Sequence, residues 1–286
     1  MASQERWGVA VSDLHTGGIT SLRPPVVRLG SDSDELRLGP ITKQVWAAWT
    51  KLLKTYGSPD FLLVGGDCVN GNARKDEGRR CWTTDIQKQA DVAAELINMW
   101  NAPVVFGVEG TKYHVENING DEMTMRQVRN AADYKGRYAP PDWNLSIAGA
   151  VGHISHKIGG TRVFQYRGTP LSRELTMSRV MSHETEVFKA NFILRGHVHN
   201  YYAVRAGANS QCCTIPCWQT RTDYEALNNP FVWMPHIGAL IIEIKNGICR
   251  IEPVLAEIVQ RADLCDIEEK KREVKARNTA KDRDRL

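Results

Sequence analysis

The sequence predicts an α/β fold built on a parallel sheet, and three observations carry that reading. Short apolar runs rich in β-branched residues alternate with longer stretches of helical periodicity through residue 107, and a strand-rich second half follows. The 286 residues are 42% hydrophobic, 24% charged and 8% aromatic, enough apolar material for a sizeable core. These proportions exclude a disordered chain, a collagen and a disulfide miniprotein.

The first strand is the buried run Gly8-Val9-Ala10-Val11-Ser12. Across 41–56, apolar residues at Val45, Trp49, Leu52, Leu53 and Tyr56 form a helical stripe, and Gly57 is its stop. A strand at 61–64, a helix at 85–100 and a strand at 103–107 complete a βαβαβ order. The second half reads as strands at 145–155, 162–166, 192–194, 201–205, 212–215, 237–244 and 249–254, with one helix at 172–189. A β-rich half after an α/β half predicts a second sheet packed on the first. One domain is expected over 1–258, followed by a charged tail over 259–286. From Asp266 on, bases outnumber acids by 8 to 6 and apolar residues nearly vanish, as in a solvated helix or a disordered segment.

The 37 Lys and Arg against 33 Asp and Glu leave +4, with 8 histidines counted as neutral. Half of that excess belongs to the tail, so the body offers little electrostatic case for nucleic acid, whose binders cluster their basic residues. No apolar stretch approaches the roughly 18 to 20 residues that span a bilayer; the run 238–242 ends at Glu243. The polar start at 1–6 lacks the ordered regions of a signal peptide. Seven cysteines, odd in number and without a CxxC pair, fit neither a disulfide framework nor a zinc knuckle. The expected setting is a reducing cytoplasm, bacterial or that of an infected host cell.

Polar residues stand where strands should end. Asp13-Leu14-His15 follows the first strand, Gly65-Gly66-Asp67 the second and Gly110-Thr111-Lys112-Tyr113-His114 the third; Gly196-His197-Val198-His199 follows 192–194. Ligands of open α/β sheets bind beyond the carboxyl ends of strands, so these segments can converge. Residues at i and i+2 of extended backbone point the same way, so Asp13 with His15, and His197 with His199, could each grip one metal or two neighbouring ones. Mixed carboxylate and imidazole donors suit Mn, Fe, Zn or Ni better than Ca or Mg. Gly65, Gly66 and Gly196 let the backbone turn sharply and leave room for a substrate.

The ordered series DxH, GD, GTxxH, an isolated strand-end His and GHxH resembles the calcineurin-like metallophosphoesterase superfamily. The stretches around Gly110 to His114 and Ile215-Pro216-Cys217-Trp218-Gln219 resemble its phage and prophage members most. That resemblance spans residues 13–199 and implies a four-layer α-β-β-α sandwich, two packed mixed sheets flanked by helices. It further implies two divalent ions, Mn first, with Zn, Fe or Ni as alternatives. Asp13, His15 and His199 would hold one, His156 and His197 the other, with Asp67 bridging. His156 is preferred over His153 because it closes its strand. The family's usual GNH[D/E] is broken: Thr111 stands in place of Asn, so the second site would be weaker, completed by water, or rebuilt through His114 or Glu109.

Such a site suits a phosphoester. Two cations about 3.5 to 4 Å apart screen the anion, clamp phosphoryl oxygens and make hydroxide available near neutral pH. The leaving oxygen then needs a proton donor, and His114 is the candidate. The expectation is a metal-dependent phosphohydrolase, phosphodiesters favoured over monoesters, its substrate a phosphoester that could be a nucleotide or nucleic acid. The rivals are a nuclease of phage DNA processing and a metal-binding scaffold that has lost catalysis. Other residues read as structural: His183 and His236 as hydrogen-bonded imidazoles, most tryptophans as packing, and Cys212, Cys213 and Cys217 as buried thiols. Lys112 and Arg195 read equally as phosphate ligands or as exposed bases.

Overall fold

β1 (Glu5–Val11) runs through the middle of a five-stranded sheet in the order β10-β9-β1-β2-β3. It pairs in parallel with β2 (Phe61–Val64), which pairs in parallel with β3 (Val105–Gly107). The connections are helices α1 (Pro40–Tyr56) and α2 (Ile86–Asn98). These details come from a computed structural model that describes residues 5–27, 36–72, 77–111, 119–160, 163–184, 189–207, 209–221, 234–258, 271–272 and 274–275. The expected tail at 259–286 lies outside them apart from the last two pieces, which are helical. His114 and Lys112 also lie outside the described residues.

The second sheet has the order β4-β5-β6-β8-β7, from β4 (Asp142–Ile147), β5 (Ala150–Ser155), β6 (Phe192–Arg195), β7 (Ala203–Arg205) and β8 (Gln211–Thr214). Three apolar layers bind the whole. Val45, Trp49 and Leu52 of α1 meet Trp100 and Trp218 on the outer face of the first sheet. Between the sheets, Ala10, Phe61 and Leu63 face Ile154, Phe192, Leu194 and Cys213. Beyond the second sheet, Ile193 and Cys212 meet Leu171 and Leu175 of α4 (Gly168–Glu184). The period-2 alternation of strands explains how neighbours part company: Ile193 and Cys212 go to the helix side, Leu194 and Cys213 to the sheet interface. The architecture is therefore α/β with two mixed sheets between helical layers.

The structure corrects several element readings. Residues 145–155 are two strands, because Ala148 and Gly149, both at positive φ (46° and 83°), make the two-residue turn that a β-hairpin favours. Ala-Gly is a weak turn signal beside Asn-Gly, so the break was hidden. The expected strand at 162–166 is a single 3-10 turn, Phe164–Tyr166. β9 (Ile237–Lys245) and β10 (Ile248–Ala256) join the first sheet instead of the second: β9 lies antiparallel to β1, pairing Val9 with Ile241. Helix α3 (Gly120–Gln127) is one that the sequence pattern does not predict. Its inward residues, Gly120, Asp121, Thr124 and Met125, leave no apolar stripe, though the Asn119 side chain accepts a hydrogen bond from Glu122 N as an N-cap. Among the described residues no helix is long and apolar enough to cross a membrane.

Candidate metal centre

Four strands deliver polar side chains to one edge of the sandwich. Asp13 and His15 follow β1, Asp67 follows β2, His156 directly follows β5, and His197 and His199 follow β6. The parallel pairing continues past the strand ends, where Asp13 N donates to Gly66 O (2.9 Å), His15 N to Asp67 O (3.0 Å) and Thr16 N to Cys68 O (2.9 Å). Trp218 N donates to Asp13 O (3.0 Å) from the second half of the chain.

The backbone here is not the extended chain that the i, i+2 spacing suggested. Asp13, His15, Asp67, His197 and His199 all take positive φ, from 45° to 73°. Each such residue costs about 1 to 2 kcal/mol without a glycine, and such conformations persist only where surroundings impose them. The intervening Leu14 turns into the helix-side core and Val198 packs at the other one. The polar side chains are left on the site.

Two groups result. In the first, His15 Nε2 lies 3.0 Å from His199 Nε2, and Asp13 Oδ1 lies 3.2 Å from His199 Nε2 and 3.7 Å from His15 Nε2. In the second, Asp67 Oδ2 lies 3.0 Å from His156 Nε2, with a nitrogen of His197 alongside. All three donor atoms of each group fall within 4.8 Å of one another. Asp13, His15, Asp67 and His156 are buried, while His197 is exposed, so the cluster opens to solvent on that side.

The groups are wired together and held from behind. Asp13 accepts from Ser12 Oγ (2.5 Å) and from His197 N (3.1 Å to Oδ2). His156 Nδ1 is 2.6 Å from Gly65 O; a carbonyl only accepts, so Nδ1 carries the proton and Nε2 is turned toward Asp67. His236 N donates to His199 O (2.8 Å), and its Nδ1 accepts from Tyr201 N (3.0 Å), bracing the loop behind His199.

Electrostatics follows the packing. Burial alone would raise the Asp13 carboxyl, but the charge of His156 and hydrogen bonds from His15 and His199 hold it well below the usual carboxylate range. Burial alone would lower His156, yet Asp13 and Asp67 push it up to about 10. Although His197 is the most exposed member, partial desolvation by its neighbours shifts it down, and the charge of His156 adds to the shift.

The donor chemistry fits divalent transition metals. Two imidazole nitrogens 3.0 Å apart share at most one proton between them, and a carboxylate oxygen completes each trio; a cation satisfies all three at once. No family model and no curated protein matches the chain. Solved structures do. A dimetal phosphatase from Danio rerio is 10% identical with TM-score 0.41, covering 89% of this chain and 99% of that one. The calcineurin-like phosphoesterase YfkN from Bacillus subtilis is 10% identical with TM-score 0.39, covering 90% and 91%. Vps29 complexed with zinc, from Entamoeba histolytica, is 9% identical with TM-score 0.40, covering 88% and 99%. This chain is similar to calcineurin-like metallophosphoesterases.

Thr111, which breaks the expected GNH[D/E] pattern, turns to Asp67: its N–H donates to Oδ1 (2.7 Å), and its hydroxyl lies 3.1 Å from Oδ2. Glu109, offered from the sequence as a replacement ligand, pairs instead with Arg137 (3.1 Å). Arg195 is buried on the helix side of the second sheet, donating to Glu174 Oε2 (2.6 Å) and lying 2.9 Å from His153 Nδ1, so its guanidinium is already engaged. His153 therefore lies apart from both metal groups. The glycines make room for the two carboxylates: a Cβ on Gly110 would overlap Asp67 Oδ1, and one on Gly196 would lie 2.9 Å from Asp13 Oδ2.

Sequence reasoning missed Asp121. This fully buried residue of α3 accepts from Cys68 N at Oδ1 and from Gly110 N at Oδ2, both at 2.8 Å. Burial raises its carboxyl above the ordinary value, and the charge of Asp67 adds to the rise. Its partners are backbone amides, which leave no mark in a sequence; the one available signal was the N-cap at Asn119.

Proposed function

We propose that the chain is a metal-dependent phosphoesterase whose two divalent ions sit in the two Asp/His groups. The observation that carries this reading is the convergence of two carboxylate-and-imidazole trios at the carboxyl ends of parallel strands, where open α/β sheets bind their ligands. Asp13, His15 and His199 would hold one ion, His156 and His197 the other, and Asp67 would bridge. When bound, such a pair supplies Lewis acidity and a nucleophile from water near neutral pH. Mn is the first choice, with Zn, Fe or Ni able to use the same donors.

The protein's own contribution is positional. The Gly65 carbonyl fixes the His156 tautomer, Ser12 and His197 N orient Asp13, and Thr111 aims Asp67. These outer partners set ring and carboxylate directions before any ligand arrives. His114 is assigned the protonation of the leaving oxygen. A phosphodiester is preferred over a monoester, a nucleic acid being one form of it.

The test is turnover of a generic aryl phosphodiester, with metal counted by mass spectrometry. Asp67→Asn should lower turnover by orders of magnitude while the fold survives. Unchanged turnover in that variant, with metal still bound, overturns the mechanism. Fewer than one metal per chain in wild type grown in Mn or Zn favours the scaffold reading, and cleavage of single- or double-stranded DNA or RNA favours the nuclease.

A further inference from the structure

The loops bearing Asp67 and Thr111 come from different strands, and α3 joins them. Cys68 directly follows Asp67, Gly110 directly precedes Thr111, and the two oxygens of Asp121 each accept one of their N–H groups at 2.8 Å. Thr111 then closes the circuit onto Asp67 through its N–H at 2.7 Å and its hydroxyl at 3.1 Å. We propose that Asp121 is a positioning residue, a clamp that holds these two loops in register and so fixes the direction of the Asp67 carboxylate in the second group. This proposal rests on the metal-centre reading for its effect on activity, but the clamp itself can be measured without it.

The chemistry asks for a carboxyl group at this place. Two N–H donors need two acceptors, and an amide has one oxygen; its NH2 would face the other donor. A fully buried carboxylate beside a second buried carboxylate is a poor choice for stability alone, because charge taken out of water is expensive unless its hydrogen bonds are all made. Helix α3 contributes Asp121 from its first turn, where aligned backbone dipoles favour negative charge. Gly110 admits the arrangement because any side chain there would overlap Asp67.

The experiment places Asp121→Asn in two backgrounds and titrates Mn2+ alone by calorimetry. With His199→Ala only the Asp67, His156 and His197 group stays intact, and there the substitution should weaken Mn2+ binding by about 10- to 100-fold. With His197→Ala only the Asp13, His15 and His199 group stays intact, reached by Asp67 only as a bridge, and there the loss should be at least about threefold smaller than in the first background. In the otherwise wild-type chain, kcat on an aryl phosphodiester should fall about as far as the first affinity does, with KM moved by less than about threefold. Unaltered affinity in the first background overturns the clamp, and so does an equal loss in both, which marks a general effect on the fold. If Asp121→Asn does not fold, amide exchange of the wild-type chain by NMR decides: slow exchange at Cys68 and Gly110 supports the clamp, and exchange at unstructured rates overturns it. A wild-type chain that takes up no Mn2+ refutes the metal centre, while the exchange arm still decides the clamp.

Discussion

Asp67 receives more directed hydrogen bonds than a surface carboxylate would, and its neighbours have given up side-chain volume to allow it. Gly110→Ala puts a methyl onto Asp67 Oδ1. The expected result is at least a tenfold loss of Mn2+ affinity for about 1 to 3 kcal/mol of stability, read by calorimetry and urea denaturation. His156 makes a second residue-scale prediction. Its folded value of about 10 exceeds the 6.5 of an ordinary imidazole, so in metal-free protein its stabilisation is fully present below 6.5 and is lost as pH rises toward 10. Urea denaturation of metal-free protein should lose free energy across that window, and His156→Gln should flatten the loss; an unchanged slope in the variant refutes the assignment. A bound metal displaces the same proton, so affinity should climb through the same window. Much at this scale was readable in advance. The DxH, GD and GHxH motifs and the lone His156 stand at strand ends in the sequence, and the structure brings their six Asp and His residues into two groups. What stayed hidden was the left-handed backbone beneath them, since Asp and His adopt positive φ more often than most residues but still as a minority, so their presence does not mark it, and the two hydrogen-bonding roles that use the backbone, the N–H groups that Asp121 accepts from and the Gly65 carbonyl that orients His156.

At the scale of elements, what can be read from sequence tracks how apolar the buried face is. α1 and β2 match their expected spans to within a residue because Val45, Trp49 and Leu52 trace a stripe and 61–64 is apolar throughout. Trp49 is also the hinge of a three-ring stack, edge-to-face with Trp100 at 5.4 Å and with Trp218 at 4.7 Å. Trp49→Ala should cost about 3 to 5 kcal/mol, measured by urea denaturation. Because Trp218 N also hydrogen-bonds Asp13 O, the cavity should reach the first metal group as weaker Mn2+ binding. α4 is lightly held by comparison, with Leu171 and Leu175 as its buried residues. α3 escaped notice for the opposite reason: its inward face is made of Gly120, Asp121, Thr124 and Met125, which look like surface. The structural demand there comes from the site, and hydrophobic patterning cannot register it.

Over the whole molecule, the site sits where both sheets end, so its Asp and His residues report on the packing of one sheet against the other. Phe192, buried completely between them, lies on the strand that leads to His197 and His199. Mn2+ at a hundredfold excess over Kd should add about 2.7 kcal/mol per occupied site and raise Tm by roughly 5 °C, checked by calorimetric scans with and without metal. An unmoved Tm under saturating Mn2+ would count against both sites. The strand order of the first sheet was the fold's least readable property, because the final hairpin carries the same alternation as its predecessors and nothing local says which sheet it joins. That placement sets a timetable. β1 pairs with β9 across 230 to 240 residues of chain, so on a ribosome adding about 5 to 20 residues per second the strand behind Asp13 and His15 waits roughly 10 to 50 s for its antiparallel partner. Until then one edge of β1 is open to any passing strand, and a translation pause before Ile237 would prolong the interval in which the nascent chain is most prone to aggregate.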